Sequence, residues 1–139
     1  MTILNIRNKI AAQLQLIDTN LKIYPYIPST PQENTFIYLH YDLVDHQVSY
    51  SKTLSKMNFN ITICTLQMGT IEQAQAELDN YVDSTGDRSI RAKIEAMTPS
   101  QFLPDASHFH LTEARDFARY SFNGNPYYGC KMTLEVYTV

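Results

Sequence analysis

The chain predicts an α+β fold: a mainly antiparallel β-sheet with an N-terminal helix and a central helix pair packed on one face, plus an extended β-hairpin. Three observations predict it. Apolar residues recur at helical spacing over residues 3–18 and again after Thr70. Residues 56–66 alternate between apolar and polar side chains with a period of two. The patterns run in the order helix, several strands, two helices, further strands.

The first helix is expected over 3–18, with Ile3, Ile6, Ile10, Leu14 and Ile17 on its apolar face and Asn5, Asn8, Gln13 and Gln15 turned elsewhere. "KIYPYIPSTPQEN" (22–34) follows, and its three prolines predict an extended connection. "TFIYLHYDLV" (35–44) and "QVSYSKTL" (47–54) are rich in β-branched and aromatic residues around Asp45 and His46, which predicts a hairpin. In "KMNFNITICTL", Phe59, Ile61 and Ile63 point one way and Asn58, Asn60 and Thr62 the other, the pattern of a strand with one buried face.

Thr70 opens the next helix, with Gln73 placed for a capping box and Ile71, Ala74, Leu78 and Tyr81 as its apolar face. Ile90, Ile94 and Met97 mark a short third helix that Pro99 ends. Between them, Gly86 is expected as the left-handed residue closing the first of the pair, with Asp87 capping the second. Strands are expected over 107–113, 116–122 and 127–138, the last burying Cys130, Met132, Leu134 and Val136.

The 139 residues carry 44% hydrophobic and 18% charged side chains, enough for one folded domain, 1–139, with its own core. Eleven Lys and Arg against 14 Asp and Glu give a charge of −3 and leave no basic stripe for a nucleic-acid backbone. "MTILNIRNKI" is broken by polar residues where a signal peptide needs an apolar run, and no stretch is long enough to span a bilayer. Cys64 and Cys130 lie far apart, which suits a reducing cytoplasm and no zinc site.

The turn "DSTGDRS" (83–89) holds one glycine among acidic neighbours, whereas a phosphate-binding loop needs several converging amides and a Lys. It reads as a joint between helices. With that joint, "AQAELDNYVDSTGDRSIRAKIEA", the C-terminal "NGNPYYGCKMTLEVYTV" and the early "LKIYPYIPSTPQEN", the chain resembles the tail terminator (tail completion) proteins of tailed bacteriophages. That family shows a helix ending in a Tyr-x-Asp-x-Ser-Gly-like turn, then Ser-Ile or Ser-Val opening a short helix. A final Gly-x-x-Tyr-x-Gly hairpin leads into an alternating last strand. "STGDRS" is one residue longer than the family's turn.

The resemblance implies a structural virion protein: a homo-oligomeric ring of six subunits at the head-proximal end of the tail tube. Such a ring stops tube polymerisation and joins the tail to the neck or head connector. Its partners would be itself, the tail tube protein and the neck or connector protein, with no nucleic-acid sequence recognition and no membrane. It would be found in the host cytoplasm during assembly and in the virion tail afterwards. No catalytic residue, cofactor or metal is implied.

From a different class, the alternative is a small ligand-binding or metal-dependent hydrolytic domain. Its sharpest feature is "HFH", since His108 and His110 project from one face of a strand and two imidazoles at that spacing can share a metal. Asp105 is the only nearby carboxylate with an obvious reach. "DLVDH" (42–46) holds two carboxylates and a His, but at a hairpin tip open to water. Ten tyrosines and no tryptophan read better as buried-ring contacts at a protein interface than as a stacking platform for bases.

Two surfaces are therefore expected to meet a neighbouring subunit. One is an arm over 41–53, where Tyr41, Asp42, His46, Tyr50 and Lys52 would make the contact. The other is Arg88 and Arg91, cations at a helix N-terminus where the macrodipole disfavours them. Acidic groups of the preceding helix or of a neighbour are expected to compensate.

Overall fold

The computed structural model describes residues 3–18, 20–31, 33–45, 55–67, 69–96 and 108–138. In chain order the elements are α1 (Ile3–Leu14), β1 (Lys22–Tyr24), β2 (Thr35–Asp45), β3 (Ser55–Leu66), α2 (Ile71–Val82), α3 (Ile90–Glu95), β4 (His108–Phe122) and β5 (Asn125–Thr138). The strands form one sheet in the order β1-β2-β3-β5-β4, antiparallel except for the β1/β2 pair. This is the α+β architecture that the sequence predicts.

The three helices contribute to one core against one face of the sheet. Ile6, Ile10 and Leu14 of α1, Leu78 and Tyr81 of α2, and Ile90 and Ile94 of α3 pack with Ile37, Leu39, Met57, Phe59, Ile61, Ile63, Cys130, Met132, Leu134 and Val136. Burying each Ile or Leu completely contributes about 2 kcal/mol. A bulge between Tyr41 and Leu43 keeps this face in register: Tyr41 sits opposite Phe59 and, one residue out of phase, Val44 opposite Met57. Without it, Val44 would turn away from the core that it packs against.

Several local expectations are corrected. Helix α1 ends at Leu14, and residues 15–17 turn tightly, with Leu16 N donating to Gln13 O and Ile17 N to Leu14 O. Gln13 is buried, not turned to solvent, because its amide Nε2 donates to Lys93 O (2.8 Å) and so ties α1 to α3. Within the extended connection expected over 22–34, Lys22–Tyr24 forms a short strand that pairs parallel with Phe36–Tyr38. The segment expected to form a hairpin with 35–44, residues 47–54, lies outside the described residues; among these, β2 runs antiparallel to β3, with Asp45 opposite Lys56. Expected strands 107–113 and 116–122 are one strand, β4, with bulges between Leu111 and Glu113 and between Arg115 and Ala118.

β3 has two buried faces, not one. Thr62 and Asn60 are 1% and 6% exposed, because a second, aromatic cluster packs on the face away from the helices. Phe36, Tyr38, Cys64 and Tyr127 form it, with Tyr24, Leu66, Tyr120 and Phe122 around them. Phe36 lies at its centre, 5.1–6.3 Å from the rings of Tyr24, Tyr38, Phe122 and Tyr127. Glu33 fastens the preceding segment to this cluster: its carboxylate accepts from the Tyr24 hydroxyl (2.5 Å) and its carbonyl from the Tyr127 hydroxyl (3.3 Å).

The β4/β5 hairpin turns on Asn123 (φ 53) and Gly124 (φ 79), both left-handed, between the partners Phe122 and Asn125. Two left-handed central residues match the right-handed twist of the flanking strands.

Candidate functional site

The α2–α3 pair is delimited by Thr70 at the start of α2 and by Asp83 and Ser89 at the joint. Thr70 Oγ1 accepts from Gln73 N, and the Gln73 side chain accepts from Thr70 N, the capping box that the sequence predicts. Helix α2 ends at Asp83, whose N–H donates to Asp79 O. Gly86 does have a positive φ (112), but three residues beyond that cap, so it shapes the turn rather than closing the helix. The cap of α3 is Ser89, not Asp87. Its hydroxyl accepts from Ala92 N (3.1 Å) and donates to Asp83 O, so one fully buried side chain ends one helix and starts the next. Ser89 can serve both helices because a hydroxyl accepts and donates at once, whereas the carboxylate of Asp87 only accepts.

Arg88 and Arg91 are both ion-paired within the chain. Arg88 Nη1 lies 3.1 Å from Glu77 Oε1 on the preceding helix, the compensation expected from sequence. Arg91 Nε lies 2.9 Å from Glu95 Oε1 on its own helix. Both pairs are about half exposed, so each contributes at most about 0.5 kcal/mol.

Of the expected arm, Tyr41 is 36% exposed, with Arg7 over its ring (5.5 Å) and His40 and Phe59 beside it. Asp42 occupies the β2 bulge. His46, Tyr50 and Lys52 lie outside the described residues. His110 is exposed on β4 opposite Glu135, and His108 stands two residues before it, opposite Tyr137. Asp105 lies outside the described residues, among which no group of three His, Cys, Asp or Glu is placed to hold a metal ion. A groove between the joint and β4 is lined among others by Arg91, His110 and Glu113.

The described tyrosines divide between the core and the surface. Tyr38, Tyr81 and Tyr127 are buried inside the fold, while Tyr26 (61%) and Tyr41 are the most exposed among the described tyrosines. Burial pushes the Cys64, Cys130 and Tyr120 protons up to about 12; for Tyr24, also at about 12, the Glu33 hydrogen bond adds to burial. The folded chain thus holds these protons more tightly than the unfolded chain, from ordinary values of 9.0 for the thiols and 10.0 for the phenols. Their stabilising contribution is whole below pH 9 and is lost as the pH rises towards 12. The melting temperature is expected to hold level up to pH 9 and then fall steadily. A level curve through pH 11 would mean that these groups meet water in the folded state, and calorimetry or circular dichroism would show it.

No described helix is long and apolar enough to cross a membrane. No protein-family model matches the chain, and comparison with curated proteins returns no match.

Proposed function

We propose that this protein is a structural assembly protein, a tail terminator that forms a ring at the head-proximal end of a phage tail tube. The ring stops tube growth and presents a surface to the neck or head connector. The observation that carries this reading is the ordered set of motifs from residue 21 to 139, and the part its described residues play in the fold supports it. Tyr81 is a core side chain, Ser89 couples two helices, and Tyr127 and Gly129 lie where the second cluster meets the sheet. These are the demands of a shape-bearing subunit rather than of a reaction centre.

Light scattering and negative-stain images of the purified protein, alone and with tail tubes, test it. The expected result is a closed ring of about six copies, or capped tube ends at concentrations where the free protein is still dissociated. A strict monomer that never binds tube ends overturns it.

A further inference from the structure

Phe117 is 48% exposed on the outermost strand of the sheet. The register passes from Arg115 opposite Lys131 to Ala118 opposite Gly129, so Asp116 and Phe117 have no partner across the ladder. Asp116 is held at φ 58, a conformation that a non-glycine residue rarely adopts. This bulge is fixed in place: the Tyr120 hydroxyl donates to Asp116 O (2.9 Å), and Arg115 lies 3.6 Å from Glu113 and 3.9 Å from Asp116. A bulge and charges ordinarily guard an open strand edge. That purpose does not call for an aromatic ring raised into water. Two residues on, Arg119 is exposed and has no hydrogen bond or ion pair among the described residues. A rigidly held aromatic beside an unspent arginine is the composition of an interface anchor.

A matching surface lies at the other end of the same row. Thr35, Thr65, Tyr128 and Arg119 are successive cross-strand partners. At the Thr35 end a groove of about 400 Å³ runs between α2 and the strands, lined by Thr35, Thr65, Leu66, Gln73, Ala74 and Glu77 among others. Glu77 lines it and pairs with Arg88, while Glu72 and Asp79 stand exposed on the same helix, which carries no Lys or Arg. We propose that Phe117 of one copy seats in this groove of the next copy, with Arg119 against the α2 carboxylates. Anchor and groove are different surfaces, so the contact can repeat head-to-tail, and it gives a ring where the rotation between copies closes. The contact rests on the assembly reading above and names the surfaces that would make it.

Disulfide trapping tests it. Cys64 and Cys130 are buried, so new surface thiols react without competition. A chain carrying both Phe117→Cys and Thr35→Cys, oxidised with copper–phenanthroline, is expected to give a ladder of covalent dimers, trimers and larger species. Chains with either substitution alone give no ladder. Arg119→Glu is expected to weaken self-association at least about tenfold without lowering the melting temperature. If the native chain forms rings while the double variant gives no ladder and Arg119→Glu assembles normally, this contact is wrong and the ring reading stands. A native chain that stays monomeric and never binds tube ends overturns both.

Discussion

Phe36→Ala is expected to cost about 4 kcal/mol and to lower the melting temperature by roughly 13 °C. Phe36 is fully buried, and its ring touches four others, from β1, β2, β4 and β5. Truncation leaves a cavity that those rings cannot fill by small shifts, since each is fixed from its own strand. Tyr24 and Tyr127 are further held by Glu33. Phe36→Leu keeps most of the volume and is expected to lose about 1.5 kcal/mol. Denaturant melts of the two variants decide the matter. A Phe36→Ala loss no larger than that of Phe36→Leu would mean that the cluster relaxes freely and does not act as a second core.

Gly129→Ala is the other substitution expected to do most damage, at about 3 kcal/mol, or roughly 10 °C. A Cβ at this position would collide with the Ile63 carbonyl oxygen and crowd Cys64 Sγ (3.1 Å) and Tyr120 Cδ2 (3.2 Å). The first obstacle is backbone of the central strand, which cannot yield. Gly124 supplies the control. Its φ is +79, but a Cβ there would meet nothing within 4 Å, so Gly124→Ala bears only the left-handed strain, about 1 kcal/mol. If both substitutions cost the same, the close approach at Gly129 contributes nothing and conformational preference explains both.

The helices and the long alternating strands were legible because a single repeated pattern specifies each of them. Ile6, Ile10 and Leu14 on α1, the Thr70–Gln73 box on α2, and Cys130, Met132, Leu134 and Val136 on β5 all occupy the places their spacing predicts. Pairing was less legible. The partner of β2 depends on which later segment offers a matching apolar face, and nothing in β2's own alternation names β3 as that segment. The second cluster was missed because its members come from five separate strands, each contributing one or two side chains with no period of its own. Ser89 outranked Asp87 as a cap because its hydroxyl also donates to the Asp83 carbonyl at the end of α2, a contact that spacing within the turn does not reveal. The Phe117–Arg119 patch left one trace, since the interruption read between 113 and 116 reflects the β4 bulges. What exposes it is register, which sequence periodicity does not report.

The order of strands in the sheet differs from their order in the chain, and this bears on how the protein is made. Strand β5 lies between β3 and β4, yet it follows both in sequence. A chain emerging from the ribosome can pair β2 with β3 early, but β3 then waits with one edge open while more than forty residues are added. Strand β4 has no place in the sheet until β5 arrives to bridge it. Folding therefore finishes in a single late step, and the surface that carries Phe117 does not exist until that step is over. Unfinished chains are thereby kept from joining one another prematurely through it, while the open β3 edge is the hazard they carry in the meantime.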